Sequence, residues 1–149
     1  ATGMTFDDGE HRVELRKLGP GHSQGDAVAW LPKERLVFTG ALCVYWGSGN
    51  NVAAAVADHD NWLRALDTMT AMNPSLVVVG HGQPGPVPVL AAQKAYLADM
   101  ISAVRKGIRE GKSADQAAAE TDLTKHKIGS DKERNVASVK AVYRKLSAR

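Results

Sequence analysis

Gly21-His22-Ser23-Gln24-Gly25-Asp26, then Ala27-Val28-Ala29-Trp30-Leu31, Pro32-Lys33-Glu34 and Arg35-Leu36-Val37-Phe38-Thr39-Gly40, is the stretch on which the fold of this chain turns. With Gly19-Pro20 ahead of it, the opening segment is too rich in glycine and proline for a regular element and reads as a loop. The two apolar runs, Asp26–Leu31 and Arg35–Gly40, read as a hairpin closed by the tight turn between them. A second glycine corner, Gly80-His81-Gly82-Gln83-Pro84-Gly85, follows another apolar run, Leu76–Val79. Strand-like runs with loops at their ends gather a site from residues far apart in sequence, as open α/β sheets do.

Upstream, Met4–Phe6 reads as a short edge strand and Asp7-Asp8-Gly9-Glu10 as a turn. His11–Leu18 alternates, with Val13, Leu15 and Lys17 on one side and Arg12, Glu14 and Arg16 on the other, the pattern of a half-buried strand. Downstream, Ala41–Trp46 is apolar and fits no single element, and Gly47-Ser48-Gly49-Asn50-Asn51 reads as a flexible loop. Asp58 or Asp60 caps a helix whose Trp62, Leu63, Leu66, Met69 and Met72 form one apolar face, and Asn73-Pro74 ends it. Leu76–Val79, made of Leu and Val, suits a strand buried on both faces. Val87–Arg109 reads as a long helix with Leu90, Leu97, Ile101, Val104 and Ile108 in one stripe, stopped by Gly111. Ser113 caps a short helix to Glu120. Asp131 opens a last helix with Val136, Val139, Val142, Tyr143 and Leu146 as its buried face. Arg134, Lys140, Arg144 and Lys145 lie mostly opposite, on a solvated surface.

The 149 residues fit one domain, and 44% hydrophobic with 23% charged residues suits a packed core. Net charge is +3, concentrated near the C-terminus and not on an aromatic-bearing sheet, so nucleic acid is not expected as a partner. No apolar run approaches the ~20 residues of a membrane span, and no membrane is expected. The single cysteine, Cys43, excludes an internal disulfide and leaves the compartment open, cytoplasmic or exported after removal of an upstream segment. The chain does not start with Met, and is expected to be a mature, cleaved or recombinant piece.

Histidines on glycine corners invite a metal reading. Neutral imidazole is the commonest metal ligand, and flanking glycines let backbone approach an ion closely. A Gly-His-Gly corner is equally at home as a simple turn. His11, His59 and His126 stand alone, without a partner at ligand spacing, and read as surface or capping residues. Ser23, Ser48 and Cys43 lack the ordered His and acid companions of a nucleophilic triad.

Several pieces resemble, in order and spacing, the second half of the metallo-β-lactamase superfamily. They are Gly21–Asp26, Ala27–Pro32, Val37-Phe38-Thr39-Gly40, Asn61-Trp62-Leu63 with Leu66, and Val77-Val78-Val79-Gly80-His81-Gly82. That family places its first such His in a Gly-His-Thr-x-Gly loop, ends a strand in Phe-x-Gly-Asp and ends its last strand in Pro-Gly-His-Gly. The likeness covers most of residues 3–85, and the helical tail is similar to that of members acting on esters, thioesters or lactones. The resemblance implies an α/β class: half of an αββα sandwich, a mixed sheet with helices on one face, plus a C-terminal helical tail. Residues 1–85 would be that half and 86–149 a helical extension packed on the same domain. It further implies one or two zinc ions at the edge between two similar halves, with His22 and His81 as ligands. A metal-bound hydroxide would be the nucleophile on a small-molecule ester, thioester or lactone.

The sequence departs from the family twice. Ala41 stands where the family has the metal-bridging aspartate, and the His-x-His-x-Asp-His motif of the first half is absent. Cys43, two residues beyond Ala41, reads as a small buried hydrophobe. Two histidines are fewer than the three protein ligands of a catalytic zinc, so this chain by itself is expected to be inactive. Three explanations stay open: the C-terminal part of a longer hydrolase completed by its other half, a deliberate replacement at Ala41, or a decayed site on a binding or scaffold subunit. Half a sandwich exposes a sheet face, expected to carry Val28, Trp30, Val37, Val77 and Val79. Its expected partner is an N-terminal half of the same fold or a second copy of the chain. Tyr45 and Trp46 are candidate pocket residues.

Overall fold

The computed structural model describes residues 3–45, 52–54, 58–129 and 131–148. Five strands form one mixed sheet in chain order: β1 (Gly3–Asp7), β2 (Arg12–Lys17), β3 (Ala27–Leu31), β4 (Leu36–Phe38) and β5 (Leu76–Val78). The first four are antiparallel neighbours, and β5 runs parallel to β4 after a helical crossover. That crossover is α1 (His59–Ala71). The chain then continues through α2 (Pro88–Arg109), α3 (Ala114–Glu120) and α4 (Lys132–Ser147).

Local chemistry sets the helix ends. The Asp58 and Asp131 carboxylates accept from the amides of Asn61 and Arg134 at 3.0 Å each, capping α1 and α4. Ser113 and Gln116 form a reciprocal capping box on α3. Asn73 and Gly111 take positive φ (53° and 69°) where α1 and α2 terminate. Ala41–Val44, ambiguous in sequence, forms a tight 3-10 turn over Gly40–Leu42 and then a bridge from Val44 to His81. Trp46 and Ser48 lie outside the described residues.

One face of the sheet carries the core. Val28, Trp30, Val37 and Val77 point to the helices and pack with Trp62, Leu66, Met69, Leu90, Leu97 and Val142 in a single buried cluster. The expectation that Val28, Trp30, Val37, Val77 and Val79 line an open face is therefore overturned: all are buried. These residues alternate onto the helix side, and the open side belongs to their neighbours in sequence. Nor is β5 buried on both faces, because Leu76 is 40% exposed on the side away from the helices. Val136, expected on the buried face of α4, is 38% exposed, and Asn135 and Ser138 are buried there with Val139 and Val142. The Tyr96 hydroxyl donates to Asn135 Oδ1 at 2.9 Å, so the helix turns a polar residue inward to meet it.

Truncating Leu90 to Ala should destabilise the protein by about 2–5 kcal/mol, and Val136→Ala should stay within about 0.5 kcal/mol. Urea unfolding followed by circular dichroism separates the two cases.

Candidate metal-binding edge

Strand direction gathers the site. The loops after β2, β4 and β5 leave the sheet at the same end, because β2 and β4 run the same way and β5 is parallel to β4. They carry His22, Ala41 and His81 respectively.

The His22 loop is wound around a carboxylate. The nine-tenths buried Asp26 accepts from the amides of Gly21 (3.1 Å) and Ser23 (2.8 Å) and from the Ser23 hydroxyl (2.6 Å). This uses both carboxylate oxygens and leaves Asp26 spent as a ligand donor. It also removes Ser23 from any nucleophilic role, since its hydroxyl proton points at a carboxylate with no histidine between. Helix α1 holds the same loop from the other side. The Asn61 side-chain amide donates to the carbonyls of Leu18 (2.9 Å) and Pro20 (2.6 Å).

Trp62 links this loop to the next one. Its ring meets the His22 imidazole edge-on at 5.6 Å between centroids, and its Nε1–H donates to the Leu42 carbonyl at 2.8 Å. Leu42 follows Ala41 directly, and Ala41 in turn lies against the His81 loop. A side chain on Gly80 would sit 2.4 Å from the Gly40 carbonyl oxygen and 3.0 Å from the Ala41 nitrogen, so only glycine allows that approach. Gly80 N–H donates to Cys43 O, and Tyr45 N–H to His81 O. A continuous path of contacts thus runs His22, Trp62, Leu42, Ala41, Gly80, His81 along one end of the sheet. His22 is half-buried and His81 exposed.

This set does not make a catalytic zinc site by itself. Among the described residues, no group of three His, Cys, Asp or Glu is placed to hold a metal. Ala41 offers a methyl. Cys43 is fully buried, and desolvation pushes its thiol up to about 12, so it stays a neutral, poor ligand at physiological pH. The remaining histidines lie in other settings. His11 pairs with Glu34 at 2.9 Å. His126 bonds Asp99 at 2.9 Å and meets Tyr96 edge-on, and is more enclosed than its lysine-flanked segment suggested. His59, read as a surface or capping residue, is buried in the first turn of α1, on the side that packs inward. Sequence reasoning did not find the loop-holding roles of Asn61 and Trp62. The cap at Asp58 was the available signal, because it fixes which α1 residues face the His22 loop.

No family model matches the chain. Over 96 residues it is 31% identical to a metallo-beta-lactamase type 2 of Bacteroides fragilis, which is 60% of this chain and 36% of that protein. Among solved structures, a metallo-beta-lactamase from Pontibacter korlensis aligns with a TM-score of 0.58 and 28% identity, over 66% of this chain and 46% of that one. The inverting sec-alkylsulfatase Pisa1 from Pseudomonas sp. aligns with a TM-score of 0.79 over 97% of this chain and 25% of that one, at 14% identity. That last likeness is one of fold alone, and it takes in the helical tail as well as the sheet. The chain spans about a third of the length of the curated relative and less than half of each of these two structures.

Two outcomes test the geometry. Asp26→Ala removes the carboxylate that accepts from the Gly21 and Ser23 amides, a loss of about 1–3 kcal/mol. Hydrogen exchange should show the Gly21 and Ser23 amides deprotected in that variant, with Asp26→Asn recovering part of the protection. Cys43 should resist alkylation in the native protein at pH 8 and react once the chain is unfolded. Because the unfolded thiol ionises first, stability should fall as pH rises from about 9 towards about 12, and Cys43→Ala should flatten that slope.

Proposed function

From a chain that carries half of the metallo-β-lactamase superfamily fold, we infer a part in a metal-dependent hydrolase of that superfamily, to which it brings the His22 and His81 side of the centre. The observation that supports this is the contact path from His22 through Trp62 and Ala41 to His81, which sets two histidines, a residue type that zinc favours, at one sheet end. The missing ligands come from beyond a single copy of the chain, and a single copy does not turn over substrate. The chain's own residues do the positioning: Asp26 and Asn61 fix the loop, Trp62 orients the imidazole, and Gly80 brings the two later loops together. The alkylsulfatase aligns over 97% of this chain, the tail included, whereas the Pontibacter korlensis metallo-beta-lactamase aligns over 66% of it. That wider alignment favours a small ester-like substrate: a carboxylic ester, thioester, lactone or sulfate ester.

A second reading, a non-catalytic scaffold or binding subunit with a degenerate site, is favoured by Ala41. Zinc titration decides between them. The hydrolase reading expects zinc affinity to fall at least about tenfold (about 1.4 kcal/mol) in the His22→Ala/His81→Ala double variant, and to rise in Ala41→Asp. Equal affinity in all three proteins would leave the scaffold reading standing. Ester and thioester hydrolysis should be undetectable in a single, unpartnered copy of the chain.

A further inference from the structure

The side of the sheet away from the helices is apolar across its whole width. The pairing register places Met4, Leu15, Ala29, Phe38 and Val78 in one unbroken row across all five strands. A second row runs from Phe6 and Val13 on the first two strands to Leu31, Leu36 and Leu76 on the last three. Among the described residues, five of the six exposed large hydrophobics lie on this face: Met4 (59%), Phe6 (54%), Leu15 (37%), Phe38 (40%) and Leu76 (40%). Lys17, at the end bearing the site, is the one charged strand residue on it.

The β1–β2 hairpin shows that this face is built to be covered. On β3–β5 both sides are apolar, and the helices cover one of them. On β1–β2 the side shared with the helices is polar: Thr5, Asp7, Arg12, Glu14 and Arg16. Glu14 is bound there by Arg16 (2.6 Å) and Arg12 (3.0 Å), and those guanidinium groups hold its carboxyl below the usual range. The hairpin's apolar residues all point to the open side. A hairpin wet on its helix side and greasy on its outer side has nothing to bury unless a second layer packs on the outer side.

We propose that this layer is the same face of a second copy, related by a two-fold axis running along β3. The proposal rests on the reading of the His22 and His81 edge given above, and names the partner that completes it. With the axis along the central strand, β1 of one copy lies over β5 of the other, so Met4 and Phe6 meet Leu76 and Val78, and Leu15 meets Phe38. Ala29 meets Ala29, a small residue at the middle of a five-strand surface. No like charges are brought together within the face, because Lys17 of each copy lies off the axis on β2. Strands at ~4.8 Å spacing give a face ~24 Å wide and ~16 Å long, ~400 Å² in projection. That projection, before side-chain relief is counted, is about half of the ~800 Å² per partner of a standard interface. A two-fold axis along the strands also preserves strand direction. The site-bearing ends of both copies then share one edge, with two histidines from each, where a catalytic zinc needs three protein ligands.

Sedimentation equilibrium, with zinc content measured in parallel, tests this. The expected result is two chains per particle, with Phe38→Lys and Leu76→Lys each weakening association about a hundredfold or more while the circular dichroism spectrum is kept. Thr5→Lys, on the polar side, should leave the dimer intact and controls for general surface effects. A wild-type chain that stays monomeric and binds a hydrophobic dye overturns the proposal and gives the face to another occupant, such as an N-terminal half of the fold. A dimer unaffected by Phe38→Lys and Leu76→Lys also overturns it. A dimer without zinc supports the interface and removes the metal reading. A monomer whose zinc is lost in His22→Ala does the reverse.

Discussion

The indole of Trp62 is where the core and the candidate site meet. Its ring is buried in the cluster that binds α1 to the sheet, its N–H holds the carbonyl of Leu42, and its edge meets His22. A buried indole N–H demands a partner, and here the partner is the backbone of the turn that follows β4. The demand of the core therefore fixes the distance between two loops that the sheet alone would leave independent. Asn61, one residue earlier on the same helix, adds the anchor on Leu18 and Pro20. The packing of α1 thus sets the site as much as the strands do.

Most elements were legible because they depend on local chemistry. Asp58, Ser113 and Asp131 are caps that act within three residues of themselves, and the α2 stripe is a periodicity that only a helix satisfies. What failed was of another kind. Alternation along a strand says that two faces exist, but Val28 and Ala29, or Val77 and Leu76, are both apolar, and nothing local says which of them a helix will cover. The same limit explains Val136: it is apolar and sits at helical spacing, yet the hydroxyl of Tyr96 rotates α4 so that Asn135 points inward. His59 is buried for a related reason, since its place is set by the whole of α1 packing.

The candidate site reads in the sequence as two corners and a gap. His22 and His81 were identifiable from glycines around them, and the structure connects their loops through named contacts. What the sequence could not supply is the connection itself: Trp62 and Gly80 act through carbonyls of residues 20 and 40 positions away, and their types alone do not announce it.

Ala41 gains its meaning from the backbone around it. Gly40 takes a positive φ of 52°, a conformation that a side chain resists, and Gly80 approaches its carbonyl closely enough to exclude a Cβ. Both features hold residue 41 beside the His81 loop. A methyl group needs neither, since alanine is content in any ordinary turn. The turn therefore places a side chain at that edge, and at position 41 that side chain is a methyl group. The polar hairpin side and apolar outer side of β1–β2 tell the same story at larger scale. Each is a local arrangement that the proposed metal and partner would explain.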